Sequence, residues 1–158
     1  MNVFYTSASP EEAARNLCDK HVGKMLIESA QLLATANHLR GHPVTYKPTH
    51  VNHPSAVWTR SSPLHYAWVL YHAQALVYEF DLRYDKRHKT GQYVFGELAL
   101  DFPGTPTWSD PPQCMPDEFK GAFTIDAYRR YYKSKEKVMQ MEWRKARPQP
   151  WWFDGVIA

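Results

Sequence analysis

The sequence predicts an all-α fold: a single compact domain, residues 1–158, of three long helices plus short helices and long proline-rich loops. Two observations predict the helices, namely apolar residues that recur at helical spacing and helix start and stop signals that bound those stretches. A third predicts one domain. A chain of 158 residues with 44% hydrophobic and 22% charged residues can bury one core and is too apolar to be disordered.

The first helical segment begins at a capping signal. Ser9, Pro10 and Glu12 match the pattern of an N-cap, a first-turn proline and a capping-box partner. Helix propensity stays high until a stop signal at Gly41. We therefore expect one long helix or two abutting helices over about residues 10–40.

This segment has two faces of different chemistry. An apolar face with three- and four-residue spacing is expected to pack inward; it comprises Val22, Met25, Leu26, Ser29, Leu32, Leu33 and Ala36. A polar ridge falls on the opposite side and comprises His21, Lys24, Glu28, Gln31 and Thr35. We interpret the ridge as the working site.

Two further long helices are expected downstream. The second starts at residues 61–63, where two serines precede a proline, and runs to about Arg83. The third starts at Thr124 and runs to about Arg144.

The remaining segments are expected to be mostly irregular. Residues 41–57 carry prolines and histidines without a helical period, which indicates a loop near the end of the first helix. Residues 92–100 could form a short helix, and the proline-rich segment 101–119 should be irregular. The aromatic tail at 151–153 is too apolar to stay in solvent, so it should dock on the domain.

Composition limits the classes of protein to consider. Only Cys18 and Cys114 are present, too few for a disulfide framework or a four-thiolate metal site. Neither a secretory signal nor an apolar stretch of bilayer-spanning length is visible, so a soluble cytoplasmic protein without a membrane partner is expected. A net charge of +3 and 15% aromatic residues suit a polyanionic partner with exposed bases.

Several common enzyme motifs are missing from the sequence. It contains no internal repeat, glycine-rich phosphate loop, GxSxG elbow or HExxH helix. We therefore predict no cofactor.

The first constellation that could carry chemistry comprises Asp19, Lys20, His21, Lys24 and Glu28. Lys24 and Glu28 are one helical turn apart, so one face offers an acid, a base and an amine nucleophile. If partly desolvated, the two lysines would lower each other's pKa. The alternative interpretation is a solvated helix face with ordinary salt pairs.

The second constellation lies in the loop and comprises Tyr46, Lys47, Thr49, His50, Asn52 and His53. Its two histidines could share a metal with His38 or His42, but no carboxylate or thiolate stands at a suitable spacing, so no metal site is predicted. A phosphate held by Lys47, Thr49 and His50, or a base covered by the tyrosine, is favoured. The alternative is a rigid loop whose side chains satisfy its own backbone.

The third constellation is basic and aromatic and lies in the C-terminal half. It comprises Arg129, Arg130, Tyr131, Tyr132, Lys133, Lys135, Lys137, Arg144, Lys145 and Arg147. Such a mixture suits a nucleic-acid backbone with exposed bases, and a solvated helix explains it as well.

Several strings of the sequence are similar to those of known families. LCDKHVGKMLIESAQLL, YKPTHVNHP, CMPDEF and AYRRYY together resemble a family of small, mostly phage-encoded proteins. More distantly, DKHVGKMLIE resembles the helix of the phage pyrimidine-dimer DNA glycosylases, which has an Asp-x-His start and a catalytic glutamate at the same separation. The tail RPQPWWFDGVIA is also similar to theirs.

The resemblance to the glycosylases implies an all-α fold and a mechanism. An amine would attack C1′ of a damaged nucleotide, with Glu28 as the catalytic carboxylate and His21 contacting substrate. The family uses an α-amine exposed by removal of the initiator methionine, but Asn2 is too large for that processing, so the Met1 α-amine, Lys20 or Lys24 would substitute.

The sequence thus supports three functional hypotheses. The first is an enzyme that acts at the N-glycosidic bond of DNA or a nucleotide. The second is a phage protein that binds or cleaves a small nucleotide or cyclic-nucleotide immune signal. Ile27 and Gln31 stand near Glu28 where the glycosylases have arginines, which implies weaker duplex binding or a smaller ligand. The third is an interaction protein that uses its aromatic tail. The oligomeric state stays open.

Overall fold

The fold is all-α. The computed structural model describes residues 1–145, 147–155 and 157, and within them it contains six α-helices and no strand. The helices are α1 Pro10–Asn16, α2 Asp19–Leu39, α3 Pro54–Arg60, α4 Pro63–Tyr84, α5 Thr90–Gly96 and α6 Thr124–Ser134. Two 3-10 turns lie at Asp117–Phe119 and Lys135–Lys137. None of the described helices is long and apolar enough to cross a bilayer.

The long helices α2 and α4 pack against each other and form the centre of the domain. α1 lies on α4, α3 on α2 and α4, and α5 on both long helices. The core between them is built from aliphatic and aromatic side chains, among them Leu26, Leu32, Leu33, Tyr66 and Leu76. The apolar face predicted for the first segment is buried throughout, so this part of the prediction is confirmed.

The first helical segment is two helices, which was one of the two expected forms. Ser9 caps α1 by accepting a hydrogen bond from the Glu12 backbone N–H at 3.2 Å. The Glu12 carboxylate accepts from the Ser7 hydroxyl at 2.9 Å, so it is not the reciprocal capping-box partner. Between the two helices, the Asp19 backbone N–H donates to the Glu142 carbonyl at 2.8 Å, which ties the start of α2 to the C-terminal segment.

The second long helix is confirmed. Ser62 caps α4 by accepting from the Leu64 N–H at 3.2 Å, and the helix ends at Tyr84, next to Asp85 in the left-handed conformation with φ 55°. The short helix expected over 92–100 is present as α5, a little earlier in the chain.

Two boundaries differ from the prediction. The prediction of a third long helix was wrong in its second half: α6 ends at Ser134, so the described part of the domain has two long helices. The chain after it turns back to the α1–α2 junction, where the Trp143 indole N–H donates to the Asn16 carbonyl at 3.1 Å; this tertiary contact overrides local helix propensity. The loop expected over 41–57 was also too long, because α3 begins at Pro54 with His53 as its N-cap.

The irregular segments fit their predictions. Residues 101–119 contain a single short 3-10 turn and run over the domain surface, where the His65 Nε2 atom accepts from the Ser109 N–H at 2.9 Å. The aromatic tail docks, as expected: Trp152 and Phe153 are buried, whereas Trp151 stays exposed.

Candidate functional site

The predicted polar ridge on α2 is covered at both ends. His21 and Thr35 are buried, Glu28 and Gln31 are half-buried, and Lys24 is exposed. The ridge was expected opposite the apolar face, and the residues at its two ends, His21 and Thr35, are nevertheless buried by other segments. Its role as the working site stays a prediction. Segments from elsewhere in the chain pack over those ends and leave Glu28 between them.

His21 is a neutral imidazole in an aromatic surrounding. Its Nδ1 atom lies 2.8 Å from the Tyr132 hydroxyl, and its ring stacks near Phe4, with centroids 6.0 Å apart. Burial lowers its pKa to about 4, helped by the positive charges of Lys135 and Lys24. At neutral pH this histidine can donate or accept a hydrogen bond but carries no charge.

The hydroxyl of Tyr132 also favours one tautomer of His21. This hydroxyl accepts a hydrogen bond from the Cys18 backbone N–H at 2.8 Å. The simplest complete arrangement has the hydroxyl proton donated to His21 Nδ1, so that the imidazole proton sits on Nε2. Nε2 is then the atom of His21 that can donate to a ligand.

Asp19 has a structural surrounding. Its carboxylate pairs with Arg83 at 3.3 Å and with Arg144 at 3.1 Å, and it also accepts from the Arg144 backbone N–H at 3.2 Å. Because both arginines engage this buried carboxylate, Asp19 anchors the start of α2. The structure gives no support to its predicted contact with substrate.

The histidine loop is held against the middle of α2. The Thr35 hydroxyl donates to the Thr49 carbonyl at 3.2 Å and accepts from the Thr49 N–H at 3.1 Å. The Arg60 guanidinium donates to the Val51 carbonyl at 2.7 Å, and the His53 N–H donates to the His50 carbonyl at 2.9 Å. The turn that carries both histidines is therefore fixed on α2 and α3.

The N-terminus is fixed beside the same turn. The Asn2 side-chain amide donates to the Cys114 carbonyl at 2.9 Å, and the Cys114 thiol lies 3.5 Å from the Ser55 hydroxyl. Ser55 is in the first turn of α3, and its N–H donates to His53 Nδ1 at 3.1 Å. These contacts place the first residues of the chain close to His53.

The electrostatics of His53 identify its other neighbours. Burial lowers its pKa; the positive charges of the Met1 α-ammonium and His50 lower it further, and the Glu28 carboxylate raises it. The neighbouring His50 and two groups that are distant in sequence, the Met1 α-ammonium and Glu28, thus act on one half-buried imidazole. We call Met1, Glu28, His50 and His53 the N-terminal cluster.

Backbone strain accompanies this cluster. His50, within it, and Phe4, three residues after Met1, have φ values of 49° and 45°, in the left-handed region that non-glycine residues rarely adopt. Neither position is a glycine or asparagine that would relieve the strain. Strained residues concentrate at functional sites, where the surrounding packing holds them in place.

The other loop residues are not all gathered here. The Tyr46 ring stacks on Tyr93 with centroids 4.1 Å apart, and its hydroxyl lies 2.9 Å from that of Thr90. This tyrosine is therefore a packing residue of α5, contrary to the expectation that it closes over a base. Lys47 and Asn52 are exposed.

The basic residues of the C-terminal half make different contacts: Arg144 and Arg147 pair with Asp19 and Glu79, and Arg130 donates to the Phe119 carbonyl. Arg129 lies over the rings of Trp151 and Trp152, at 5.1 and 5.5 Å, and donates to the Thr6 carbonyl at 3.0 Å. Its role is to hold the tail. Lys135 instead lies over the Tyr131 ring at 4.6 Å and, with Lys20 and Lys24, adds positive charge near His21.

Sequence reasoning missed two contributors. Lys135 was counted only as part of a basic helix, and Tyr132, which orients His21, only as an aromatic residue of that helix. The proximity of both to α2 depends on tertiary packing, and the sequence carries no local signal for it. Among the described residues, no group of three or more histidine, cysteine, aspartate or glutamate side chains is arranged to hold a metal ion.

Comparisons with models of known protein families, with curated protein sequences and with solved structures found no significant match. The functional argument therefore rests on the geometry of the N-terminal cluster and its surroundings.

Proposed function

We propose that this protein is an enzyme that acts at the N-glycosidic bond of DNA or a nucleotide, with the Met1 α-amine as nucleophile and Glu28 as the proton-transfer group. The observation that carries this proposal is that an α-amine and a half-buried carboxylate both act electrostatically on His53, while hydrogen bonds of Asn2 and Ser55 hold the first residues near the same turn. An amine and a carboxylate that share a site are the minimal groups for Schiff-base chemistry.

Met1 is a better candidate nucleophile than the two lysines. An α-amine is intrinsically less basic than a lysine amine, so more of it is neutral and nucleophilic at neutral pH. Lys20 and Lys24 are exposed, and nothing in their surroundings desolvates them. These lysines are better placed to attract the phosphates of a substrate.

The reaction balances with these two groups. The neutral amine attacks C1′, the bond from C1′ to the base breaks, and the base departs with the bonding electron pair and a proton. Glu28, in its acid form, then protonates the sugar ring oxygen, so that the ring opens and C1′ becomes a protonated imine. The carboxylate next removes a C2′ proton, and the 3′ phosphate leaves by β-elimination. Water finally hydrolyses the imine and releases the amine.

The remaining residues have supporting roles in this proposal. His21 offers a neutral Nε2–H donor to the sugar or phosphate, and His50 and His53 line the approach to the amine. Lys20 and Lys24, together with Lys135, supply a positive field for the phosphates. Gln31 and Thr49 are half-buried, Lys47 and Asn52 are exposed, and in this proposal they contact the substrate.

Borohydride trapping tests the proposal. Reduction during turnover on damaged or base-modified duplexes should yield a covalent protein–DNA adduct, and peptide mapping should place the DNA on residue 1. Glu28→Gln should lower product formation about 100-fold or more, the usual contribution of one proton-transfer group.

Matched controls separate the three amines. Extending the chain by a few residues before Met1 should abolish the adduct, whereas the same extension at the C-terminus should leave it intact. Lys20→Ala and Lys24→Ala should retain it. An adduct on Lys24, or no adduct on any duplex tried, would contradict the proposal.

A second candidate function is the binding or cleavage of a small nucleotide or cyclic-nucleotide signal. The observation that favours it is that Ile27 and Gln31, beside Glu28, are uncharged, while the lysines that act on His21 are two exposed side chains, Lys20 and Lys24, and the half-buried Lys135. A duplex is normally gripped through many phosphates, so its affinity falls steeply with salt, whereas a single nucleotide gives a shallow dependence. Measuring affinity for a lesion duplex and for a nucleotide between 50 and ~200 mM salt distinguishes the two.

A further inference from the structure

A cleft separate from the N-terminal cluster lies between α4 and α5. Its volume is about 560 Å³, within the range of small-molecule sites. It is lined by one side of α4 and by residues 87–95, which include α5. We call it the α4–α5 cleft, and none of the residues of the N-terminal cluster lines it.

The floor of the cleft is apolar and closely packed. Gly91 lies so near Val77 that a Cβ atom on the glycine would be 3.2 Å from a Val77 methyl. The glycine lets α5 approach α4 at this point, and the two residues together close the base of the cleft.

Two aromatic rings stand uncovered at its mouth. Tyr78 is 67% exposed and Phe95 is 49% exposed, and their centroids are 5.8 Å apart in an edge-to-face arrangement. Exposed aromatic rings next to one another provide a surface on which a planar heteroaromatic ring can stack.

Asp81 lines this region, and one of its carboxylate oxygens has no hydrogen-bond partner among the described residues. The Oδ1 atom of Asp81 is buried, and no hydrogen-bond donor within the described part of the chain reaches it. A buried acceptor of this kind favours a ligand that brings an N–H or O–H group. Burial lowers the pKa of His88, which lines the same cleft, and the nearby Asp81 carboxylate partly offsets this effect. The Nδ1 atom of His88 accepts a hydrogen bond from the Thr90 N–H at 3.1 Å.

Positive charge lines the cleft as well. Arg87 and Lys89 are exposed and belong to the same lining. Arginine and lysine at the edge of an apolar site bind phosphate groups, the arginine by a bidentate pair of hydrogen bonds.

We propose that the α4–α5 cleft binds a nucleotide, with its base against Tyr78 and Phe95, an N–H edge of the base at Asp81, and its phosphate at Arg87 and Lys89. Each of the three features selects a different part of such a ligand: a flat ring, a donor group and an anion. Guanine presents two adjacent N–H donors to a carboxylate, so GMP is the expected best binder among the common mononucleotides. The site does not depend on the chemistry proposed for the N-terminal cluster.

Calorimetry with the full chain tests this proposal with GMP as the probe. GMP should bind, and guanosine and inorganic phosphate should each bind at least tenfold more weakly, because each lacks one part of the ligand. Asp81→Asn should weaken GMP binding tenfold or more. Asp85→Asn is the matched control, since this exposed aspartate lies one helical turn later outside the cleft, and it should leave binding unchanged.

A second substitution with its own control tests the positively charged edge of the cleft. Arg87→Ala should weaken GMP binding about tenfold but leave guanosine binding unchanged, whereas Lys86→Ala, one position earlier and outside the lining, should have little effect. If Asp81→Asn fails to fold, Tyr78→Ala and Phe95→Ala replace exposed side chains and test the stacking surface instead.

The location of binding separates this inference from the proposed enzyme. In a two-dimensional NMR titration, GMP should shift amides of residues 77–95, and Glu28→Gln should not change its affinity. Shifts confined to the surroundings of Glu28 and His53 would overturn the inference and support the nucleotide hypothesis for the N-terminal cluster. Equal affinity for GMP and inorganic phosphate, or no binding at millimolar GMP, would overturn it as well.

Discussion

The two carboxylates that α2 places on the domain, Asp19 at its start and Glu28 in its middle, have opposite surroundings. Asp19 is buried and is held by ion pairs with Arg83 and Arg144 and by one backbone donor. Glu28, roughly 14 Å further along the helix axis at 1.5 Å per residue, is half-buried and lies near an α-amine and two histidines.

The difference shows how one helix separates stability from chemistry. Arg83 also binds Glu79 at 3.0 Å and the Leu17 carbonyl at 2.6 Å, so the buried charges around Asp19 are matched by charges of opposite sign. The groups around Glu28 have no such matched set of ion pairs, and a strained residue, His50, stands among them. The first region holds the fold, and the second is the better candidate for function.

Removing Arg83 should have the largest effect. Arg83→Met would leave the carboxylates of Asp19 and Glu79 buried with fewer partners, and breaking a buried ion pair in this way costs about 3–5 kcal/mol. Urea denaturation at pH 7 measures the change. The exposed Arg15→Met serves as control and should change the free energy of unfolding by less than ~0.5 kcal/mol. A loss below ~1 kcal/mol in Arg83→Met would show that the Asp19 region is not the anchor described here.

Neutralising each carboxylate in turn compares the two regions directly. Asp19→Asn should destabilise the fold by about 2 kcal/mol, because charge-assisted hydrogen bonds to two arginines are lost. Glu28→Gln should change stability by no more than ~0.5 kcal/mol, since functional charges are rarely optimised for stability. Thermal and urea denaturation of both variants provide the measurement. Equal destabilisation by the two substitutions would remove the distinction between the regions.

Low pH should reduce the stability of the fold through two buried histidines, whose charged forms are not matched by ion pairs as Asp19 is. Burial lowers the pKa of both His72 and His21 to about 4, so each stays neutral in the folded state while the unfolded chain takes up protons near 6.5. Stability is therefore fully present above pH 6.5 and is lost as the pH falls toward 4. At pH 5.5, one unit below 6.5, each histidine should contribute a loss of about 1.4 kcal/mol.

Replacing one histidine isolates its share of this loss. His72→Gln should remove about 1.4 kcal/mol of the difference in unfolding free energy between pH 7.5 and pH 5.5. The exposed His42→Gln is the control and should leave the pH dependence as it is. If the unfolding free energy of His72→Gln depends on pH as it does in the unsubstituted protein, protonation of His72 does not destabilise the folded state.

The sequence predicted the parts of the fold that local signals determine. The Ser9 and Ser62 caps, the two long central helices and the apolar face of α2 follow from residue spacing and capping chemistry. The end of α6 did not, because the contact between Trp143 and Asn16 that draws the chain back depends on residues far apart in sequence.

The candidate site, too, could be predicted only where local sequence signals determine it. His21 and Glu28 were found because they share one helix, and the histidine loop because its composition is unusual. The orientation of His21 by Tyr132, the approach of Lys135 and the packing of Tyr46 on Tyr93 are long-range contacts. A spacing rule within one helix has no access to contacts of this kind.

The smallest expected effect on stability concerns the hydrogen bonds between Thr35 of α2 and the backbone of Thr49 in the loop that carries His50 and His53. Thr35→Val keeps the size of the side chain but removes the hydroxyl that donates to the Thr49 carbonyl and accepts from its N–H. Stability should fall by about 1 kcal/mol, the net value of such hydrogen bonds in a half-buried position. These bonds hold the turn of His50 and His53 near Glu28. The trapping yield should therefore fall under conditions in which the Thr35→Val variant is still fully folded.

Thr45→Val, which removes a hydroxyl bonded to Glu97 in the exposed part of the loop, should leave the trapping yield intact. If both variants trap equally well, the position of the histidine turn is not set by its contact with α2, and the two histidines would then be outside the chemistry of Glu28.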